Sequence, residues 1–394
     1  MGATAPLFVT KTAYALRAAG ETFDAAQGSR ILVVIQLAGG NDGLNTVVPY
    51  ADDLYYQARP TLAIPADQVL RVTDQLGLHP GLAPIHGLFG EGRLRLIQSV
   101  GYPNPNRSHF RSMEIWESGD PNDAAPQTGW LGRYLDAACS GCDTPAMTLT
   151  SPLPQSLWSD HVPVPSLTNL ESILQYGAGR TERTRRLDAL KSLYAIPLDA
   201  PIEEAVRGRG LNALTAAEQL QAYLGQFETI GAYPDAQIGQ RLRSVAQLIG
   251  GGLGSHIYFV SHGGFDTHSG QSGQHENLLL QLADAIAAFQ IDLVAMGRDR
   301  DVLVMTFSEF GRRIQENGSR GTDHGAAAPL FLLGPSVGGV TGNSPQLALD
   351  SQADVPFGVD FRNVYASVIS EWLGADPVPV VGPDHPPLGI LPTV

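Results

Sequence analysis

Histidine and acidic residues gather in two short stretches of this sequence. Asp266 and His268 lie in a Gly-rich stretch, and Asp323 is followed directly by His324. Half of the ten histidines fall between positions 256 and 275 or at position 324. Imidazole and carboxylate groups are common ligands of zinc, manganese and similar divalent cations. The pattern therefore indicates a metal site whose ligands come from separate parts of the chain.

Residues capable of nucleophilic, acid–base or anion-binding chemistry occur at three further places. They are Asn41-Asp42, Ser108-His109 with Arg111, and Ser308-Glu309 with Arg312 and Arg313. A serine at the start of a helix lies among backbone N–H donors that favour an anion. Arginine can bind the charge of a tetrahedral oxyanion, and His109 or His275 could supply a general acid.

Taken one at a time, these residues have ordinary structural explanations. Asn-Asp-Gly is strong turn chemistry, which accounts for Asp42, and Ser108 could simply cap the helix that follows it. Glu309 could pair with an arginine one helical step away. The polar residues at 266–268 and 323–324 could simply form hydrogen bonds within their loops. The grouping of all of them after apolar runs favours a functional site.

Short apolar runs rich in β-branched residues precede most of these positions. The predicted strands are Ile31–Leu37, Leu94–Val100, Ala146–Leu149, His256–Ser261, Asp301–Phe307 and Pro329–Leu333. Helical spacing of apolar residues predicts helices at Ala216–Phe227, Ile238–Ile249, His275–Met296 and Asn363–Leu373. This alternation predicts an α/β fold with a largely parallel central sheet sandwiched by helices. Ligands gather at the carboxyl ends of strands in such sheets, so the polar residues should meet at one edge.

Length and composition fit one large α/β domain over residues 1–394. The chain has 44 glycines and 28 prolines, which predicts many turns. Residues 150–210 contain few strand patterns and predict a helical or loop insertion that caps the site. A net charge of −14 argues against nucleic acid as a partner, because that would need a basic face. No run reaches the roughly 20 apolar residues of a membrane span, so an integral membrane protein is not expected.

Two features bear on the cellular compartment. Residues 1–25 could be the remnant of an export signal or an ordinary N-terminal helix, and no twin arginine of the Tat type is present. Cys139 and Cys142 could form a local disulfide, as an exported protein would allow, or remain two thiols. Two cysteines are too few for a structural zinc knuckle.

Six stretches in order along the chain resemble a known family. They are LAGGNDGLNTVVPY (37–50), NRSHFRSMEIWESG (106–119), FDTHSGQ (265–271), TFSEFGRR (306–313), TDHGAAAPLFLLG (322–334) and VDFRNVYASVISEWLG (359–374). On these stretches the sequence is identified as a member of the bacterial exported family called domain of unknown function 1501. That family resembles, more distantly, the alkaline phosphatase and sulfatase superfamily. The superfamily has an α/β sandwich fold with a two-metal site at the carboxyl edge of the sheet.

The superfamily resemblance implies roles for individual positions. Asp266, His268 and His324, with Asp323 beside it, match the ligands of one metal ion. Asp42 lies where an acidic metal ligand follows the first strand. Ser108 lies where a nucleophile opens a helix.

One segment departs from the superfamily pattern. Ser308-Glu309-Phe310 stands where an Asp-His pair is expected. Glu309 could still be a carboxylate ligand, but no histidine accompanies it. The number of metal ions therefore stays open between one and two.

The resemblance implies a metal-dependent hydrolase of phosphate or sulfate esters that uses zinc, manganese or calcium. Ser108 or a metal-activated water would attack the ester, and Arg111 or Arg312 would bind the developing charge. The substrate would be a small-molecule or polymer-linked anionic ester in the periplasm or outside the cell, with the cytoplasm as the alternative. Two other functions are compatible with the sequence: a phosphomutase or transferase on the same scaffold, and a non-catalytic exported protein with a structural metal. The sequence does not indicate an oligomeric state.

Overall fold

The computed structural model describes residues 30–122, 125–139, 145–166, 222–350 and 352–393, with a few separate positions between 185 and 220. The strands in these ranges are β1 (Ile31–Ala38), β2 (Val47–Val48), β3 (Leu70–Arg71), β4 (Gly77–Leu78), β5 (Leu94–Gly101), β6 (Ala146–Thr148), β7 (Ile257–Gly263), β8 (Val302–Phe307), β9 (Ala328–Leu333), β10 (Gly339–Thr341) and β11 (Val359–Asp360). The helices are α1 (Gly43–Thr46), α2 (Asp53–Ala58), α3 (Ala83–Gly90), α4 (His109–Ser118), α5 (Trp130–Ala138), α6 (Gln237–Gly250), α7 (Gln271–Ala295), α8 (Phe361–Ser367) and α9 (Val378–Val381). Short 3₁₀ turns lie at Pro80–Leu82 and Gln155–Leu157, and α8 continues as a π turn over Val368–Trp372.

One eight-stranded sheet forms the centre of the fold. Its order is β10-β5-β9-β8-β1-β7-β6, and β11 pairs with β5. All pairings are parallel except those of β9, which runs antiparallel to both β5 and β8. A separate antiparallel sheet has the order β2-β4-β3. The predicted α/β fold with a largely parallel sheet between helices is confirmed.

The hydrophobic core lies on both faces of this sheet. In β1, Val33 and Ile35 belong to a cluster shared with α6 and α7, whereas Leu32 and Val34 belong to a cluster shared with α4, α5 and α8. A strand covered on both faces needs apolar residues at nearly every position, which explains the apolar run Ile31–Ile35. Each such side chain contributes about 1.5–3 kcal/mol by its burial.

One described helix, α7, is long and apolar enough to cross a membrane by length and composition. In its most apolar window, 61% is buried inside the protein. Leu279, Leu282 and Ile286 pack into the core against the sheet. The apolar character of α7 is therefore accounted for by its place in the core.

All six predicted strands are present, each within two residues of its predicted bounds. Three predicted helices correspond to α6, α7 and α8. In the fourth, Ala216–Phe227, Leu220 and the residues 222–224 are helical, and positions 216–219 and 221 lie outside the described residues. Residues 1–25 and most of 150–210 also lie outside them, so the export signal, the cap and the single domain stay predictions. Cys139 is engaged in a disulfide, and Cys142 is outside the described residues.

A buried polar network holds the loop that follows β1. The carboxylate of Asp42 is fully buried and lies 2.6 Å from Nη1 of Arg59. Nε2 of His275 lies 2.9 Å from Oδ1 of Asn41, and the His275 ring meets the His79 ring edge to face. Burial lowers the pKa of His275 to about 3 and that of His79 to about 4. Both histidines are therefore neutral parts of the fold at pH 7.

We expect the metal-free protein to lose stability as the pH falls from about 6.5 towards 4. The unfolded chain protonates these histidines below their ordinary pKa of about 6.5, whereas the folded chain does so only near pH 4 and pH 3. Their stabilising effect is therefore complete above pH 6.5. Below that pH, each histidine lowers the free energy of unfolding by about 1.4 kcal/mol per pH unit.

Urea titrations of the wild type and of His275→Gln at several pH values test this expectation. Glutamine can still donate a hydrogen bond to Asn41 but takes up no proton. The free energy of unfolding of the variant should fall less steeply as the pH decreases, because unfolding takes up about one proton fewer than in the wild type. Identical slopes between pH 6.5 and 4 would contradict the assignment.

Candidate metal centre

Three histidines direct one ring nitrogen each at a single carboxylate oxygen. The Nε2 atoms of His268, His324 and His109 lie 3.1, 3.2 and 3.4 Å from Oδ1 of Asp266. The Nε2 atoms of His268 and His324 are 2.9 Å apart. Four atoms that can bind a cation thus converge at one point of the molecule.

The sheet topology brings these residues together. Strands β1, β7 and β8 are adjacent and parallel, so their carboxyl ends lie at the same edge. Asp266 and His268 follow β7, and the chain after β5 leads to His109 at the start of α4. His324 precedes its strand, but β9 is antiparallel to its neighbours, so the start of β9 lies at this edge too.

The second nitrogen of each ring faces an oxygen that can only accept a hydrogen bond. The partners of Nδ1 are Oε1 of Glu309 for His109 (2.8 Å), Oδ1 of Asp323 for His268 (3.2 Å) and the Arg107 carbonyl for His324 (2.8 Å). From this network we assign the proton of each neutral ring to Nδ1. Each Nε2 then presents a lone pair towards Asp266, which is the arrangement of metal-binding histidines.

The donor set fits a single divalent cation. Lone pairs that face one another repel unless a proton or a cation lies between them, and Nε2 of His109 is shielded from solvent without a hydrogen-bond partner. The ligand atoms of His109, Asp266 and His324 all lie within 4.8 Å of one another. Ligands of tetrahedral zinc at 2.0–2.1 Å are about 3.3 Å apart, close to the separations found here.

The electrostatics of the four groups also favour a cation. The hydrogen bond to Glu309 raises the pKa of His109, which makes its ring a better ligand. Burial lowers the pKa of His324, so its ring is neutral. Burial alone would raise the pKa of Asp266, but the hydrogen bond from Arg312 and the positive charge of Arg312 act against it, and the pKa is lowered to about 2. At neutral pH the centre thus offers an ionised carboxylate at Asp266 and an uncharged imidazole at His324.

Arg312 lies buried beneath the centre and joins the loops around it. Its guanidinium donates to Oδ1 of Asp266 (2.7 Å) and to the carbonyls of Gly40 (2.6 Å), Thr322 (2.9 Å), Phe265 (3.0 Å) and Gly39. These acceptors belong to three separate loops. The predicted oxyanion clamp at Arg312 does not agree with this arrangement, because its N–H groups already bond to the protein. Arg312 positions the loops instead.

Two glycines allow the backbones of these loops to touch. A Cβ atom at Gly39, where φ is +119°, would lie 2.4 Å from the backbone nitrogen of Asp266. A Cβ at Gly321 would lie 2.2 Å from the carbonyl carbon of His268. Neither distance is compatible with a side chain, so glycine at these positions sets where the ligands lie.

Two residues predicted as metal ligands lie behind the ligands instead. Glu309 is buried and accepts hydrogen bonds from Nδ1 of His109 and from the backbone nitrogen of Gly39. Asp323 is half exposed and contacts Nδ1 of His268. Their geometry is that of groups that orient and polarise the histidines. His109, predicted as a general acid, occupies a ligand position.

Asp42 and Arg111 are not brought to the centre. Asp42 bonds to Arg59 and Gln271, and within the described residues its carboxylate contacts neither Glu309 nor the three histidines. Arg111 pairs with Glu114 at 2.5 Å. The predicted second metal site, which needs Asp42 beside Glu309, does not agree with these contacts.

Ser108 directly precedes His109 in the sequence. It takes the N-cap position of α4, but its side chain makes no capping hydrogen bond, and the residue is exposed. Arg107 and His109 on either side both contact the centre. Ser108 is therefore an exposed residue between two residues of the centre, and its role as nucleophile stays a prediction.

Comparison with known sequences identifies the family of this chain. Residues 29–378 match the family described as "Protein of unknown function (DUF1501)". The chain belongs to the DUF1501 family. The family prediction is thereby confirmed. No curated protein sequence matches this DUF1501 chain.

Solved structures with a similar arrangement of the chain have low sequence identity. The lipoteichoic acid synthase LtaP from Listeria monocytogenes is 10% identical, with a TM-score of 0.39, and the match covers 94% of this chain and 80% of the other. The PsFucS1 sulfatase from Pseudoalteromonas sp. is 12% identical, with a TM-score of 0.39 and coverage of 94% and 72%. A protein in the alkaline phosphatase superfamily from Vibrio parahaemolyticus is 10% identical, with a TM-score of 0.40 and coverage of 95% and 77%. At these TM-scores the likeness supports no conclusion about activity, substrate or metal in this DUF1501 chain.

We expect Gly321→Ala to weaken zinc binding about tenfold or more although it changes no ligand. The new Cβ would displace the backbone of His268, and loss of a well-set ligand geometry costs about this much affinity. Gly273→Ala is the matched control, because no atom lies within 4 Å of its added Cβ. Zinc titration of both folded variants against a competing chelator measures the effect, and equal affinities would contradict it.

We also expect Glu309→Gln to lower zinc affinity about tenfold while the fold is kept. The amide oxygen can still accept from His109 and Gly39, but the negative charge that makes the imidazole basic is gone. Glu316→Gln, a change of the same kind at an acid that bonds to Thr61 and Leu62, is the control. An unchanged affinity in Glu309→Gln would show that this carboxylate does not tune the histidine.

Proposed function

We propose that this chain is a metal-dependent hydrolase of phosphate or sulfate esters with one divalent cation per chain. His109, His268, His324 and Asp266 would hold the cation. The observation that supports this is the convergence of three Nε2 atoms on one carboxylate oxygen at an accessible place. The side chains of His268 and Asp266 are 44% and 49% exposed, which leaves the centre open to a substrate.

The chain's own residues account for the remaining requirements of ester hydrolysis. When bound, a divalent cation would supply Lewis-acid polarisation of an ester oxygen. The hydroxyl of Ser108 would attack the phosphorus or sulfur atom, and the backbone N–H groups at the start of α4 would face the anion. The ester oxygen leaves as an alcohol with the proton lost by the serine, and water then releases the group from the serine as sulfate, phosphate or a phosphate monoester. Glu309 keeps the proton on Nδ1 of His109 throughout.

We infer that the protein acts outside the cytoplasm, in the periplasm or beyond the cell. The disulfide at Cys139 supports this location, because disulfides persist mainly in oxidising compartments. The substrate would accordingly be a small-molecule or polymer-linked anionic ester encountered there.

A non-catalytic protein with a structural metal is the second candidate. The presence of four protein donors favours it, because closed four-ligand sites are typical of structural zinc. The exposure of the ligands favours catalysis instead. The two candidates differ in whether the metal-loaded protein cleaves an ester.

Three variants test the proposed function with a panel of chromogenic phosphate and sulfate esters and added Zn²⁺, Mn²⁺ or Ca²⁺. We expect the wild type to bind one metal ion by elemental analysis and to cleave at least one ester. His324→Ala should lose both properties. Ser108→Ala should keep the metal and lose activity about a thousandfold.

His161→Ala is the control, because His161 is an exposed histidine outside the centre. It should match the wild type in both measurements. Metal binding without cleavage of any ester would favour the structural-metal candidate. Full metal content in His324→Ala would overturn the assignment of the site.

A further inference from the structure

Among the described residues, five charged side chains belong to the candidate metal centre or interact with its members. The carboxylates belong to Asp266, Glu309 and Asp323, and the guanidinium groups to Arg312 and Arg313. Asp266 bonds to Arg312. The pKa of Asp323 is lowered by a hydrogen bond from Asn317 and also by the nearby charge of Arg313. The protein part of the centre thus has one net negative charge, and a bound divalent cation would give one net positive charge.

Two further arginines of the described residues are paired with acids. Arg107 pairs with Asp354, and Arg111 pairs with Glu114. On the buried side, Glu117 lies close enough to Glu309 for their charges to interact. Arg107 and Arg111 therefore add no net positive charge to the centre.

Two acids of the centre are exposed to solvent. Asp266 and Asp323 are each about half exposed, so their charges act on an anion that approaches from solvent. Coulomb repulsion grows in proportion to the substrate's charge. A singly charged ester would neutralise the metal-loaded centre, whereas a doubly charged ester would leave it negative beside two carboxylates.

We propose, on the basis of the proposed function, that this centre selects singly charged tetrahedral esters over doubly charged phosphate monoesters. Sulfate monoesters and phosphodiesters share this chemistry. Water cleaves a sulfate monoester to an alcohol and sulfate, and a phosphodiester to an alcohol and a phosphate monoester. A phosphate monoester presents two negative charges at neutral pH and is the disfavoured substrate.

Asp323→Asn is the decisive variant, because it removes one half-exposed charge beside the centre and keeps the hydrogen bonds. The amide oxygen can still accept from Nδ1 of His268 and from Nδ2 of Asn317. Asp160→Asn removes the same charge at an exposed position elsewhere and serves as the control.

The first measurement is equilibrium binding, independent of turnover. Calorimetry on the zinc-loaded protein compares benzenesulfonate with phenylphosphonate at a pH where the phosphonate is doubly charged. We expect Asp323→Asn to shift the ratio of the two dissociation constants about tenfold towards the phosphonate, and less at high salt. Asp160→Asn should leave the ratio unchanged. An unchanged ratio in Asp323→Asn would overturn the proposal.

The second measurement compares kcat/KM for matched aryl esters of sulfate, phosphate monoester and phosphodiester. We expect the wild type to have a higher kcat/KM for the sulfate or the diester than for the phosphate monoester. The larger of the values for the sulfate and the diester identifies which class of singly charged ester is the better substrate. A preference for the phosphate monoester would overturn the charge selection and leave the hydrolase proposal intact. Cleavage of none of the three would contradict the proposed function itself.

Discussion

The contacts of Arg312 fix the relative positions of the loops that make up the metal centre. One buried guanidinium bonds to carbonyls on the loops after β1 and β7, to the segment before β9 and to the carboxylate of Asp266. A buried arginine is costly unless its donors are satisfied, and here carbonyl groups satisfy most of them. The cost of burying the charge is thus offset only when all three loops are in place. The ligands come from different parts of the sequence, but their positions depend on one another.

A second buried pair stabilises the neighbouring loop in a similar way. Arg59 bonds to Asp42, Asn45 and the carbonyls of Ile314 and Arg313. Arg312 and Arg59 therefore bond to the same stretch, 39–45, from two sides. Removing one partner of such a buried pair lowers the free energy of unfolding by about 3–5 kcal/mol. The pair therefore strongly stabilises this conformation of the loop.

The sequence was sufficient to predict the strands and the edge at which the polar residues meet. Buried strands such as β1 are apolar at nearly every position, and polar residues of the centre lie in the segments that follow the strands. It was also sufficient to group Asp266, His268 and His324. The division between ligands and supporting residues could not be predicted in this way. His109 and Glu309 are 200 positions apart, and only the structure shows that the histidine faces the cluster and the glutamate lies behind it. The Arg107 carbonyl that contacts His324 is a main-chain group, so the type of residue at position 107 does not indicate this contact.

The glycines at positions 39 and 321 constrain the backbone of the centre, and this constraint differs from the one on the ligand side chains. Besides the Arg312 contacts, main chain touching main chain sets the frame of the centre, and these backbone contacts do not involve the histidine side chains. The histidines can therefore be exchanged for other ligands of similar reach while these contacts are kept, whereas the glycines cannot be exchanged. Divergence among proteins built on this frame would change the ligands, and with them the preferred metal, before it changed the glycines. The same property makes the centre a suitable starting point for engineering a different metal specificity.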